Sequence, residues 1–260
     1  MRGCRSLLLA LLLVAAPGLR AEEIRPPSVE AGVQETRDPR SPDDPWEGMN
    51  RKTFAFNEGV DRYFLEPVAT GWDWLLPERV QRSIGNFYQN TLLPVRFAND
   101  LLQAKPRAAY ETAWRLAINS TVGIGGLFDP ASSWNVAKSD EDFGQTLGRW
   151  GMPPGPYLVL PVLGPSSPRD ASGRVVDGFG YIATYFVPIY VGLSAAAVDA
   201  VNARAGALET IRAERKAAFD FYTAVRSAYL QYRENRVRDR AAAPVEEEAG
   251  EDLYYFDEDE

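Results

Sequence analysis

DPWEGMNRKTFAFNEGVDRY, Asp44 to Tyr63, is where regular structure begins in this chain of 260 residues. Asp44 stands as an N-cap, Pro45 takes the first helical position and Glu47 follows three after the cap, the layout of a capping box. Met49, Thr53, Phe56, Val60 and Tyr63 then recur at steps of three and four, one face of a helix ending before Pro67. A segment with Trp72 and Trp74 leads into a helix over 78–89, and Pro94 and Pro106 punctuate further helices. The helix opening near Pro106 sets Tyr110, Ala113, Trp114, Ala117 and Thr121 on one side. It ends at Gly123, Gly125 and Gly126, where the backbone turns. Over 203–240, Leu208, Ile211, Ala218, Tyr222, Val225, Tyr229 and Tyr232 keep helical spacing beneath many Arg and Glu, as a surface-facing amphipathic helix or a broken pair. No internal repeat and no run of alternating strand residues is visible. The expected fold class is all-α.

Two stretches depart from that texture. From Phe143 to Pro168 the chain reads FGQTLGRWGMPPGPYLVLPVLGPSSP, with six prolines and five glycines, which excludes regular helix over most of it. Such a loop is usually polar, yet this one carries Tyr157, Leu158, Val159, Leu160, Val162 and Leu163 around Pro161. A stiff apolar loop has to be buried against protein or inserted into something apolar. Gly178 to Val198 is the second, with twenty-one residues and no charge. Its length alone fits a membrane span. Gly178, Gly180, Thr184, Pro188, Gly192 and Ser194 dilute it, which favours helical material buried in protein or within a membrane protein's own body.

The flanks carry the address. Arg2 and Arg5 precede ten apolar residues, Leu7 to Ala16, with Pro17, Gly18 and a cleavage point after Ala21, the layout of a secretory signal peptide. The expected organisation is a signal peptide over 1–21, an extended linker over 22–43, a helical domain over 44–240 and an acidic disordered tail over 241–260. Nine acids and no bases lie in the last fifteen positions, whereas 22–245 holds 25 basic and 27 acidic residues, so nothing attracts a nucleic-acid backbone. In the tail Tyr254, Tyr255 and Phe256 interrupt the acids, as a docking anchor would. The one cysteine, Cys4, precedes the apolar run and leaves with it, and histidine is absent, which removes thiol chemistry, His-based nucleophile activation and His-containing zinc sites. No phosphate loop or nucleophile elbow is present. No catalytic residue, cofactor or metal is expected.

The residues do, however, form a known pattern. DPWEGMNRKTFAFN (Asp44 to Asn57), NSTVGIGGLFDPAS (Asn119 to Ser132), FGQTLGRWGMPPGPYLVLPVLGPSSPRD (Phe143 to Asp170) and VRSAYLQYRE (Val225 to Glu234) resemble, in order, the MlaA or VacJ family, over roughly 44–236. The resemblance implies a ring of amphipathic helices embedded in the outer membrane beside trimeric porins, with an apolar Pro/Gly-rich hairpin loop at a central channel. It implies retrograde transport, in which misplaced phospholipid leaves the outer leaflet and passes to a periplasmic carrier, MlaC. Family members carry a lipidated cysteine at the mature N-terminus, which this sequence lacks there.

By position, Phe54, Phe56 and Asn57 match the helix that influences gating, with core packing as the alternative. Gly123, Gly125, Gly126 and Asp129 match a structural glycine turn. Tyr157, Leu158, Val159, Leu160, Val162 and Leu163 are candidates for acyl-chain contact. Arg169 and Asp170 are candidates for lipid headgroups or for a local ion pair. A porin-bound envelope scaffold that conducts no lipid and a lipid hydrolase are the other functional classes. The signal layout also makes a testable statement about processing. Mass spectrometry of the exported protein should find an unacylated N-terminus near Glu22, and an acylated one or a retained Met1 would refute it.

Overall fold

Pro67 does not end the first helix. In the computed structural model, which describes residues 44–181 and 188–239, α1 (Glu47–Val60) runs through a π-helical turn (Asp61–Leu65) into α2 (Glu66–Leu75). Pro67 falls in the first turn of α2, where a missing amide costs least, and the wider π turn before it accommodates the register change. Trp72 and Trp74 thus lie on a helix. The helix from Glu78 also continues beyond 89, as α3 (Glu78–Leu102) with Pro94 in its interior. A proline there gives up one backbone bond, and the long packing of α3 against α4 (Pro106–Thr121) outweighs that loss.

Short α5 (Pro130–Ser133) and α6 (Phe143–Arg149) follow, and then a two-stranded antiparallel ribbon, β1 (Leu158–Leu160) and β2 (Gly164–Ser166). Its register pairs Leu158 with Ser166 and Leu160 with Gly164, so the described residues include one small sheet, at the proline-rich stretch. After α7 (Pro168–Gly180), α8 (Ile189–Gly206) leads to α9 (Leu208–Ala217) and α10 (Phe221–Val237). Those last two are the broken pair. Ala218 is extended, and Asp220 then caps α10 by accepting from the Thr223 amide. The expected signal peptide, linker and acidic tail lie outside the described residues, as does 182–187 within the uncharged stretch. Among the described residues no helix is long and apolar enough to cross a membrane.

Asp44 does not cap α1. Its carboxylate is buried and faces inward, and Trp46 holds the cap position without a side-chain bond. The stripe of apolar residues on α1 also points the other way from the core. Met49, Phe56 and Tyr63 are 51%, 55% and 82% exposed, while the fully buried residue is Asn50. On α4 the same inversion recurs. Tyr110 and Trp114 stack in the open, their rings 6.5 Å apart, and Thr112, Arg115 and Asn119 face inward. Helical period gives the direction of an apolar stripe but not the medium on its far side. The buried apolar residues form small clusters, Tyr157, Val159, Tyr222 and Tyr229 in one, Ala69, Ala205 and Leu208 in another, and Tyr88, Leu92 and Ala196 in a third.

Backbones meet closely where α6 crosses α7. A Cβ on Gly173 would lie 2.3 Å from the Gly144 amide nitrogen. Backbone cannot step aside as a side chain can, so Gly173→Ala should cost about 1–3 kcal/mol, read as a lowered thermal midpoint by circular dichroism. Gly192→Ala, which meets nothing within 4 Å, should leave the midpoint unchanged or slightly raised.

Candidate functional site

A two-stranded ribbon is marginal on its own, and β1 has an edge that β2 does not fill. Two asparagines of α1 fill it. Asn50 donates from Nδ2 to the Tyr157 carbonyl at 2.9 Å and accepts on Oδ1 from the Val159 amide at 2.9 Å. Asn57 donates to the Leu160 carbonyl at 2.9 Å and accepts from the Val162 amide at 2.7 Å. Seven residues of helix advance about 10.5 Å and three of strand about 10 Å, so one spacing matches the other. Each side-chain amide thereby stands in for a residue of a neighbouring strand. The tip beyond Asn57 is strained, with Val162 at φ 65°, a left-handed conformation that a β-branched residue rarely adopts.

Pleating sorts the apolar residues of this hairpin. Tyr157 and Val159 point into the core, against Tyr222, Tyr229 and the partly buried Phe54. Phe54 meets the rings of Tyr222 and Phe221 edge-on at 5.5 and 5.8 Å. Leu158, Leu160 and Leu163 are half-buried, and Val162 is exposed. Phe56 faces outward, away from the hairpin, and Asn57 is one of its two clamps.

Buried carboxylates hold the base. Asp44 accepts from Asn50 Nδ2 at 2.8 Å and from the Tyr222 hydroxyl, with Arg226 at 3.5 Å. Asp170, 4% exposed, accepts from the Tyr229 hydroxyl at 2.5 Å, from Arg233 at 2.8 and 2.9 Å, and from Arg169 at 3.0 Å. Arg169 is buried too, so this pair is joined inside the protein. Arg233 continues to Asp142 at 2.6 and 3.0 Å. Burial pushes the Asp170 carboxyl up, but the Arg233 charge and the donors around it outweigh that and hold it below the usual carboxylate range. The same balance, burial against Arg233, brings Asp142 down to about 2.

The glycine turn is a separate feature. Gly125 and Gly126 have φ of +67° and +93°, and a Cβ on Gly123 would lie 2.4 Å from the Asn119 carbonyl oxygen. Asp129 caps α5 by accepting from the Ser132 amide and takes Arg115 through both oxygens at 2.6 and 2.8 Å. Burial opposes ionisation there, yet the Ser132 and Asn119 donors and the charges of Arg115 and Lys138 keep the carboxyl well below its ordinary value.

Comparison with known proteins meets this arrangement over almost all of the described chain. The family model for the MlaA lipoprotein matches residues 42–236. The chain belongs to the MlaA lipoprotein family. Relatives include the intermembrane phospholipid transport system lipoprotein MlaA of Haemophilus influenzae, 34% identical over 86% of this chain and 90% of that protein. The protein of that name in Escherichia coli K12 is 33% identical over 72% and 76%. A protein of Rickettsia bellii is 36% identical over 75% and 77%. A solved structure described as the structural basis for maintenance of bacterial outer membrane lipid asymmetry superposes with a TM-score of 0.68 at 32% identity. It covers 75% of this chain and 98% of its own. Against this MlaA background, sequence reading located Asn57 but missed Asn50, Asp44 as an inward carboxylate, and Arg233. The seven-residue spacing of the two asparagines was the available signal, but it has no meaning until the strand they hold is known.

The pH dependence of stability follows from the base of the hairpin. Asp142 and Asp170 ionise more readily folded than unfolded, so their contribution is complete above the unfolded value of 3.8 and is lost as the pH falls toward 2. Asp177, which burial pushes up to about 6, acts in the opposite sense, losing stability as the pH rises from 3.8 toward about 6. Chemical unfolding at stepped pH should therefore show stability falling between about pH 4 and 2, and Arg233→Gln should flatten that limb while pushing the Asp177 carboxyl further up, since the Arg233 charge opposes its burial. An unchanged acid limb in the variant would show that Arg233 does not set it.

Proposed function

We propose that this chain is the outer-membrane component of phospholipid transport, a helical conduit that takes misplaced phospholipid from the outer leaflet and hands it to a periplasmic carrier, with no covalent chemistry. The names of the Haemophilus and Escherichia relatives support the general role. The outward apolar faces of α1 and α4 fit an environment of lipid chains, because moving exposed aromatic and aliphatic side chains out of water is favourable. In this reading those faces seat the protein beside trimeric porins, and the carrier is the family's MlaC. The Haemophilus and Escherichia relatives are named lipoproteins.

The observation that carries the proposal is the clamped hairpin. Asn50 and Asn57 hold its backbone, so Leu158, Leu160, Val162 and Leu163 can meet acyl chains without contributing to its shape. Pro156, Pro161 and Pro165 stiffen it before any ligand arrives, which lowers the ordering cost of contact. Tyr157 and Val159 act from beneath as its footing, and the Arg169–Asp170 pair anchors the strand that returns. Phe54 and Asn57 tie α1 to the hairpin, so a shift of one moves the other.

Leu160→Asp tests this. Asn57 bonds the main chain of Leu160 and not its side chain, so the clamp survives the substitution. A charge within hydrocarbon costs about 2.5–3.5 kcal/mol, roughly a hundredfold in the occupancy of a lipid pose. Expression, helicity and porin co-purification should stay near normal while phospholipid accumulates in the outer leaflet. A folded variant with normal asymmetry would move the lipid path elsewhere and favour the scaffold reading.

A further inference from the structure

The π turn between α1 and α2 begins four residues past Asn57, the outer clamp of the hairpin. The Asp61 amide is shared between the Asn57 and Glu58 carbonyls, where the α-helical ladder gives way. The Glu66 amide then donates to the Asp61 carbonyl, the wider step of a π turn. None of the five residues from Asp61 to Leu65 is buried, and Tyr63 and Phe64 are largely exposed. Apolar packing of its own side chains therefore does not hold this rare turn.

Two arginines from distant helices do. Arg215 of α9 donates to Glu58 at 2.9 and 3.2 Å, to Asp61 at 2.9 Å and to Glu66 at 3.2 Å. Arg204 of α8, which is buried, donates to Asp61 at 2.8 and 3.0 Å and to Glu66 at 3.3 Å. Each guanidinium thus bridges the two ends of the π turn. In an unbroken α-helix Asp61 and Glu66 would point about 140° apart. The π step stacks one above the other, which lets the same two arginines hold both. The Arg215 guanidinium lies over the Phe221 ring, 5.6 Å from its centroid, which orients it in turn. An isolated surface ion pair stabilises little, but forked guanidinium groups shared among three partly buried carboxylates form a network.

We propose that Arg204 and Arg215 are positioning residues for the hairpin: they hold the π turn in place, and the π turn sets the rotation of the helix end from which Asn57 reaches Leu160 and Val162. A π turn moves along a helix only by rotating the residues that it passes, each by about 100°. Displacement toward the N-terminus would therefore carry Asn57 off β1. Asn50 lies seven residues nearer the start of α1 and is oriented separately by Asp44, so it would stay in place. The inference adds to the transport reading the residues that aim its hairpin.

Amide hydrogen exchange of the full chain in detergent, followed by NMR at Val159 and Val162, tests the proposal. Asn50 protects the first amide and Asn57 the second, so the pair separates a local loss from general loosening. In Arg215→Gln the Val162 amide should exchange about tenfold faster, as it should in Asn57→Ala, while Val159 in Arg215→Gln exchanges as in the parent. Arg212 bonds Glu66 without reaching Asp61, so Arg212→Gln should leave both amides unchanged. Asp61→Asn should free Val162 in the same way as Arg215→Gln, and it keeps the test decisive if Arg215→Gln fails to fold. Unchanged Val162 exchange in the folded variants, an equal effect in Arg212→Gln, or equal acceleration of Val159 and Val162 overturns the proposal. Faster Val162 exchange in Arg215→Gln, beside a folded Leu160→Asp protein with normal lipid asymmetry, would leave the coupling standing and the transport reading fallen. Phospholipid accumulation in Leu160→Asp with unchanged Val162 exchange in Arg215→Gln would do the reverse.

Discussion

Asn50 and Asn57 each close two hydrogen bonds on the backbone of β1, and the position of the apolar hairpin depends on those four bonds. An open strand edge beside apolar surface would leave amides and carbonyls unpaired, at a cost of about 1–3 kcal/mol each when water is excluded. A side-chain amide has a donor and an acceptor at the spacing of a peptide group, so one residue meets both needs. Asn50 is itself oriented by Asp44, and Asp44 by Tyr222 on α10. The first and last described helices are therefore joined through the residue that holds the hairpin. On the far strand Ser167 and Asp170 begin α7, and Arg233 ties that start back to α10 and α6.

This arrangement puts polarity inside. Asn50, Asn99, Asp100, Thr112 and Thr146 are among the most deeply buried side chains, and each bonds another polar group inside the protein. Thr112 and Ser139 donate to Asp100, and Thr146 donates to Asn99. A satisfied network of this kind specifies one packing, because any slip strands a buried donor or acceptor. Apolar residues are correspondingly free to face outward, which in water would be a liability. Against lipid chains it is neutral or favourable.

Two of the non-glycine residues with positive φ sit at the hairpin and the glycine turn. Val162 at the hairpin tip shares its turn with Gly164, and Ile124 precedes Gly125 and Gly126. Such conformations persist only where the surroundings over-determine them, here through the Asn57 clamp and the packing of Gly126 on Asn90.

The sequence by itself determined the helical class, the glycine turn at 123–126 and the exceptional nature of the stretch around Tyr157 to Leu163. Each of these follows from local chemistry: period, missing amides, missing Cβ atoms and an apolar run among prolines. It also excluded histidine chemistry by composition, and its motif blocks placed the family. Tertiary structure alone decided which face of α1 and α4 is inside, since an apolar stripe looks the same whether it meets a core or a lipid. It decided that Pro67 and Pro94 lie within helices, because the packing that offsets a lost backbone bond comes from distant segments. It also turned Asp44 from a helix cap into the buried partner of Asn50 and Tyr222. A carboxylate's partner is set by what the chain brings within about 3 Å of it, and Tyr222 arrives from 178 residues away.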